Sequence, residues 1–166
     1  MSDKDSSELD SNEAFKSRVR QRWNRNDLWP DFAPAEGELP PITILKQQAS
    51  ALGLKLRNLI EADVETGTTD YQRYLRHTLF LVAPVLNFYR YKLLDVEHPA
   101  TEMYPVTIKV FLDDPANSGP DIRAENEAEF KDALRDVFAR AQTKRVIENL
   151  LAQSLGAKVG ADTESA

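Results

Sequence analysis

His77 and His98 are the two side chains in this sequence that can exchange a proton near neutral pH without help from their surroundings. His77 follows Arg73 and Arg76, and His98 sits in Glu97-His98-Pro99 at the end of a strand-like run. Their separation fits no metal-binding spacing. A mixed cluster of His98, Asp113 and Asp114 is chemically conceivable, but a polar loop accounts for those residues more simply. Asp121 followed by Glu129-Phe130-Lys131 has the residue order of a metal-dependent nuclease. That chemistry needs the second half on a strand, whereas Glu129 and Lys131 fall in a helical pattern, where positions i and i+2 do not face each other.

Other chemistries are excluded by composition. The chain has no cysteine, so thiolate zinc, iron–sulfur and cysteine-nucleophile sites are ruled out. Its six glycines form neither a phosphate loop nor a dinucleotide fingerprint, and no Gly-x-Ser-x-Gly elbow is present. The sequence therefore predicts no catalytic residue, no metal and no cofactor, and reads more readily as a non-enzyme than as an enzyme.

Binding chemistry is better represented. Tyr71, Arg73, Tyr74, Arg76 and His77 form one cluster, to which Tyr89, Arg90 and Tyr91 add if their strands pair. Arginine and tyrosine are favoured at binding hot spots, and arginine grips carboxylate or phosphate through two bonds. Taken singly, each of these residues is better explained as a half-buried tyrosine or a solvated arginine. Further upstream, Phe15, Val19 and Trp23 recur at helical spacing among Lys16, Arg18, Arg20, Arg22 and Arg25. Arg18, Arg22 and Arg25 could follow a phosphate backbone with Trp23 stacked on a base. A solvated helix face balancing the acidic residues before it is the simpler reading.

These groups must be positioned by an α+β framework. Leu45, Ala49, Leu52, Leu56 and Leu59 predict a helix, with Thr43 as its N-cap and Gly53 on its inner face against something flat. Four strands follow. Ile60, Ala62 and Val64 alternate with Glu61, Asp63 and Glu65, and Val106, Ile108, Val110 and Leu112 alternate with Thr107, Lys109 and Phe111. Thr78 to Ala83 is apolar on both faces and belongs centrally or under a cover. In Phe88 to Val96, Tyr89, Tyr91 and Leu93 share one face, and Arg90 and Lys92 share the other with Phe88 and Leu94. Short connections make the sheet an antiparallel meander. Opposite charges on Glu61, Asp63 and Glu65 and on Arg90, Lys92 and Lys109 would then share a face and fix register. Two helices close the fold. The first buries Phe130, Leu134, Val137 and Phe138; the second starts at Thr143, buries Val146, Ile147, Leu150 and Leu151, and stops at Gly156.

The expected fold is thus a four-stranded, mainly antiparallel sheet packed by one preceding and two C-terminal helices. Residues 1–13 form an acidic disordered tail, 14–41 a basic helix and proline-rich arm with Trp23, Trp29 and Phe32 as anchors, 42–155 one α+β domain, and 156–166 a flexible tail. A chain of 166 residues with 42% hydrophobic and 29% charged residues suits a single core. The net charge of −6 argues against binding polyanions over the whole surface. With no apolar run of membrane-spanning length, no secretory signal and no cysteine, the cytoplasm is the expected location. The leading expectation is a non-catalytic interaction or regulatory protein that binds a protein partner through its sheet face or its arm, with self-association left open. A nucleic-acid or nucleotide binder using the arginine-rich elements is the alternative. A hydrolase or nuclease with scattered catalytic residues ranks third.

Overall fold

The computed structural model describes residues 27–112 and 119–164. The chain divides into two units, residues 1–36 and 37–166. Residues 27–36 of the first unit have no regular secondary structure. The Trp29 amide donates to Asp27 Oδ1 at 3.0 Å, and the Trp29 and Phe32 rings lie 6.2 Å apart. Leu28, Trp29 and Phe32 are all strongly exposed. The expected helix around Arg18, Arg22 and Trp23 lies outside the described residues.

The second unit is α+β. It runs α1 (Pro41–Lys55), β1 (Glu61–Thr69), β2 (Tyr74–Ala83), a 3-10 turn (Pro84–Leu86), β3 (Tyr89–Pro99), β4 (Val106–Val110), β5 (Ile122–Ala124), α2 (Glu127–Ala139) and α3 (Ala141–Glu164). The strands form one antiparallel sheet in the order β1-β2-β3-β4-β5. The meander is as expected, with five strands rather than four. Three-residue β5 is too short to show a period in sequence, and pairing with Val106–Ile108 is what defines it.

One face of the sheet is buried. Leu79, Leu81, Leu93, Leu94, Val96, Val106 and Ile108 join Ile44 and Leu45 of α1, Phe130, Leu134 and Val137 of α2, and Val146 and Leu150 of α3 in a single cluster. The opposite face carries the charges. A bulge decides which side chains go where on β3. Leu79 pairs with Leu94, but Phe80 pairs with Lys92, leaving Leu93 as the extra residue. Leu93 and Leu94 are therefore both buried, at 1% and 0% exposure. Strict alternation put Leu94 beside Arg90 and Lys92; the bulge moves it to the core and keeps those two cations on the open face.

Helix ends also differ from expectation. α1 starts at Pro41 with Pro40 before it, and no side chain caps it, so Thr43 is inside the helix rather than at its cap. Proline at the first position suits a helix start, because the missing N–H has no partner there anyway. Gly53 meets the returning chain: a Cβ there would lie 3.1 Å from Asn58 Oδ1, and the Asn58 amide donates to Gly53 O at 2.8 Å. Thr143 lies within α3, where its hydroxyl donates to Val137 O at 2.7 Å and satisfies a carbonyl at the end of α2. Gly156 does not stop α3, which continues through Gly160 to Glu164.

The N-terminus of α2 is capped from two directions. Asn126 Oδ1 accepts from the Glu129 amide at 2.9 Å, and Glu129 Oε2 accepts from the Glu125 amide at 2.7 Å. Glu38 Oε1 takes the Glu127 amide at 3.1 Å, and Glu127 Oε2 takes the Leu39 amide at 3.0 Å. Residues 38 and 39 are thereby stitched to the body, although proline content alone assigns them to the arm. Asn126→Ala is expected to cost about 1 kcal/mol. Urea denaturation should show a lower midpoint at unchanged slope.

Candidate functional site

The two histidines, far apart in sequence, meet on the buried face. Thr66, an exposed residue of β1, pairs with His77 on β2, and the next strand brings His98. His77 Nε2 lies 2.9 Å from His98 Nε2, and His77 Nδ1 lies 2.9 Å from Thr66 Oγ1. His98 Nδ1 is 2.9 Å from Pro99 O and 2.6 Å from Glu102 O. Carbonyls only accept, so His98 Nδ1 carries a proton, and if the His98 ring is neutral its Nε2 is bare. His77 Nε2–H must then donate to it, and bare His77 Nδ1 accepts from the Thr66 hydroxyl. The whole row is satisfied in one direction with both rings neutral.

Burial pushes the His77 imidazole down to about 4, with His98 and Lys46 adding to the effect. Solvent touches only 2% of the His77 surface. A cleft of about 240 Å³ adjoins both rings, bounded by Pro41, Ile42, Leu75 and Met103 among others.

Hydroxyl, imidazole and second imidazole stand here in the order of a nucleophile, its base and the group that orients the base. Two observations weigh against that use. His77 is a poor base, since its proton affinity is already lowered by burial. Its orienting partner is a second imidazole tied to backbone carbonyls, where a carboxylate would stabilise the imidazolium formed on proton transfer. The geometry suits a buried polar clamp joining β1, β2 and the turn after β3.

The other sequence candidates lie on the opposite face. Arg76 Nε donates to Glu97 Oε1 at 2.8 Å and lies 3.9 Å from Asp95 Oδ2. The Arg90 guanidinium sits 4.3 Å over the Phe80 ring and reaches Asp63 at 2.9 Å and Glu65 at 2.7 Å across two strand spacings. Tyr74 begins β2 at the same end as Arg76, with 39% of its surface exposed. Arg73 is in the turn before β2, where its amide bonds Asp70 O. The expected cluster is therefore split: Tyr74 and Arg76 share the open face with distant Arg90, while His77 points into the core. Alternation along β2 contained that separation. Arg18, Arg22 and Trp23 lie outside the described residues.

Sequence reading missed Asp95. Its carboxylate is almost fully buried on the nominally open face, accepting from Thr78 Oγ1 at 2.6 Å and pairing with Lys92 Nζ at 2.9 Å. Lys92 also lies 4.2 Å over the Phe111 ring. Asp95 stands among apolar residues of β3, and only the bulge after Leu93 turns it toward Lys92. The expected charge ladder is present in its main feature, Arg90 against Asp63 and Glu65.

Other concavities flank α1. An apolar cleft of about 290 Å³ lies between α1, the buried sheet face and Phe138, at the lower limit of ordinary ligand pockets. A wider groove of about 570 Å³ runs between α1 and β1, bounded by Lys46, Ala49, Leu54, Ala62 and Val64 among others. Among the described residues, no group of three or more His, Cys, Asp or Glu side chains is arranged to hold a metal ion. Lys131, considered above for nuclease chemistry, pairs with Glu127 at 2.8 Å, while Glu129 caps its own helix. Asp113 and Asp114 lie outside the described residues. No helix among them is long and apolar enough to cross a membrane. Comparison with protein families, curated proteins and solved structures finds no match to this chain.

Proposed function

We propose that this chain is a non-catalytic interaction domain that binds a protein partner through the side of its sheet that the described helices leave uncovered. The observation that carries this reading is the one-sided sheet, on which cations are held over aromatic rings by neighbouring carboxylates. Arg90 over Phe80 and Lys92 over Phe111 are already fixed in place, so little side-chain freedom is lost when a partner covers them. Arginine, tyrosine and phenylalanine are also the residue types enriched where proteins meet. A nucleic-acid partner is less well supported. Arg76 and Arg90 are engaged by Glu97, Asp63 and Glu65, and a phosphate backbone would have to displace those carboxylates.

A photo-reactive phenylalanine analogue at Tyr74 tests the reading in the native host, with the same analogue at Glu148 on exposed α3 as the control. The expected result is one protein adduct from position 74 that is lost from position 148. Adducts of equal yield from both, or nucleic acid as the adduct of position 74, would count against it.

A further inference from the structure

We infer that the free edge of β1, with the groove beside α1, receives an extended segment of a partner protein as an added strand, one carrying basic residues at every second position. This deepens the interaction reading above and rests on it.

Three observations converge. Among the described residues β1 pairs on one side only, with β2, although it is nine residues long. The outward backbone N–H and C=O groups of such an edge are a template for a further strand. Beside that edge lies the groove of about 570 Å³ between α1 and β1. Its helix wall includes Ala49, Ser50 and Gly53, small enough to leave room for incoming side chains, and Leu54, a leucine left 80% exposed. The third observation is charge. Glu61, Asp63 and Glu65 alternate along the edge on the open face, and Arg90 is shared by the last two. The edge therefore keeps an excess of negative charge.

A strand laid on β1 puts its own side chains alternately on these two sides. Those facing the groove meet Leu54, Ala62 and Val64 and should be small and apolar. Those on the open face stand beside Glu61, Asp63 and Glu65 and should be lysine or arginine, because opposite charges across a strand pair stabilise it and like charges oppose it. The same rule disfavours a second copy of the chain, since β1 paired with itself sets carboxylates against carboxylates.

The probe is a nine-residue peptide alternating valine and lysine, titrated into the isotope-labelled full chain. The expected result is binding that weakens as salt rises, with slowed hydrogen exchange of amides in 61–69. A scrambled peptide of the same composition should bind at least about tenfold more weakly, as should a peptide methylated on alternate backbone nitrogens facing β1. Glu61→Lys, at a half-buried edge position, should weaken binding about tenfold, and Leu54→Ser about threefold, with both variants folded by circular dichroism. The inference is overturned if scrambled and alternating peptides bind alike, or if protection appears away from β1. It is also overturned if β1 is protected without peptide in a dimer seen by sedimentation, which would give the edge to a second copy. Loss of the inference alone is recognisable: position 74 would still yield its protein adduct while the peptide leaves β1 amides unprotected. If both fail, the interaction reading fails with it.

Discussion

Asp95→Ala is expected to lower the stability of the domain by about 3 kcal/mol, the lower end of what breaking a buried ion pair costs. The carboxylate has 4% of its side chain exposed and draws Thr78, Lys92 and, at longer range, Arg76 onto one point of the sheet. Removing it leaves the Thr78 hydroxyl, itself in a residue 9% exposed, without its acceptor. It also leaves two cations without their central counter-charge. Their side chains keep 40% of their surface in solvent and can be rehydrated, which holds the loss below the upper limit for this class of change. Asp95→Asn preserves shape and an acceptor for Thr78 and should cost only about 1–2 kcal/mol. In a double-mutant cycle, Thr78→Val and Asp95→Ala should couple by about 1 kcal/mol, because each removes the same hydrogen bond. Urea denaturation at constant slope measures all of these. A loss below about 1 kcal/mol for Asp95→Ala would mean that the carboxylate is not anchoring the strands.

Much of the framework is legible because the core is strongly periodic. Val106, Ile108 and Val110 are all buried as alternation requires, and Phe130, Leu134 and Val137 line the inner face of α2. The failures have particular physical causes. The bulge at Leu93 changes parity partway along β3, and a two-residue period has no means of signalling an inserted residue. Thr66-Gly67-Thr68-Thr69 has the composition of a turn, yet pairing with Tyr74 through His77 holds it as strand, so tertiary contacts override local preference. The clamp is therefore not readable from composition, since only an extended β1 places Thr66 opposite His77. The His77–His98 contact had a faint signal: both residues lie on inward positions of adjacent antiparallel strands once the bulge is counted. The charged face was readable in kind because alternation puts charges on one side. Its central member, Asp95, was not, because nothing in Leu93-Leu94-Asp95-Val96 shows which way the carboxylate turns. Thr143 illustrates the limit of motif reading: a threonine before an apolar run also fits a residue that satisfies the preceding helix.

The clamp makes the protein sensitive to acid, and the sign follows from its protons. His77 is held at about 4 when folded, against 6.5 for the free side chain. Well above pH 6.5 the ring is neutral in both states and contributes no slope. As pH falls from 6.5 toward 4 the unfolded chain takes up a proton that the folded chain refuses, so stability drops. Below about 4 the folded state also binds the proton and the effect levels off. Burial is the main cause of the refusal, and the charged groups facing the ring add to it. Thr66 and His98 bond its nitrogens, Lys46 adds positive charge from α1, and Glu102 offers His98 its carbonyl. Two cationic rings would set N–H against N–H across the 2.9 Å contact. With allowance for water in the adjoining cleft, the loss attributable to His77 between pH 7 and 5 should be about 1 kcal/mol. His77→Gln removes the titration and should cost about 1–2 kcal/mol at pH 7.5 through the weakened relay. The two proteins should therefore approach equal stability as pH falls to 5, in urea titrations run at each pH. Parallel curves for the two would mean that the buried pair accepts its proton in the folded state, and the one-direction neutral relay would have to be abandoned.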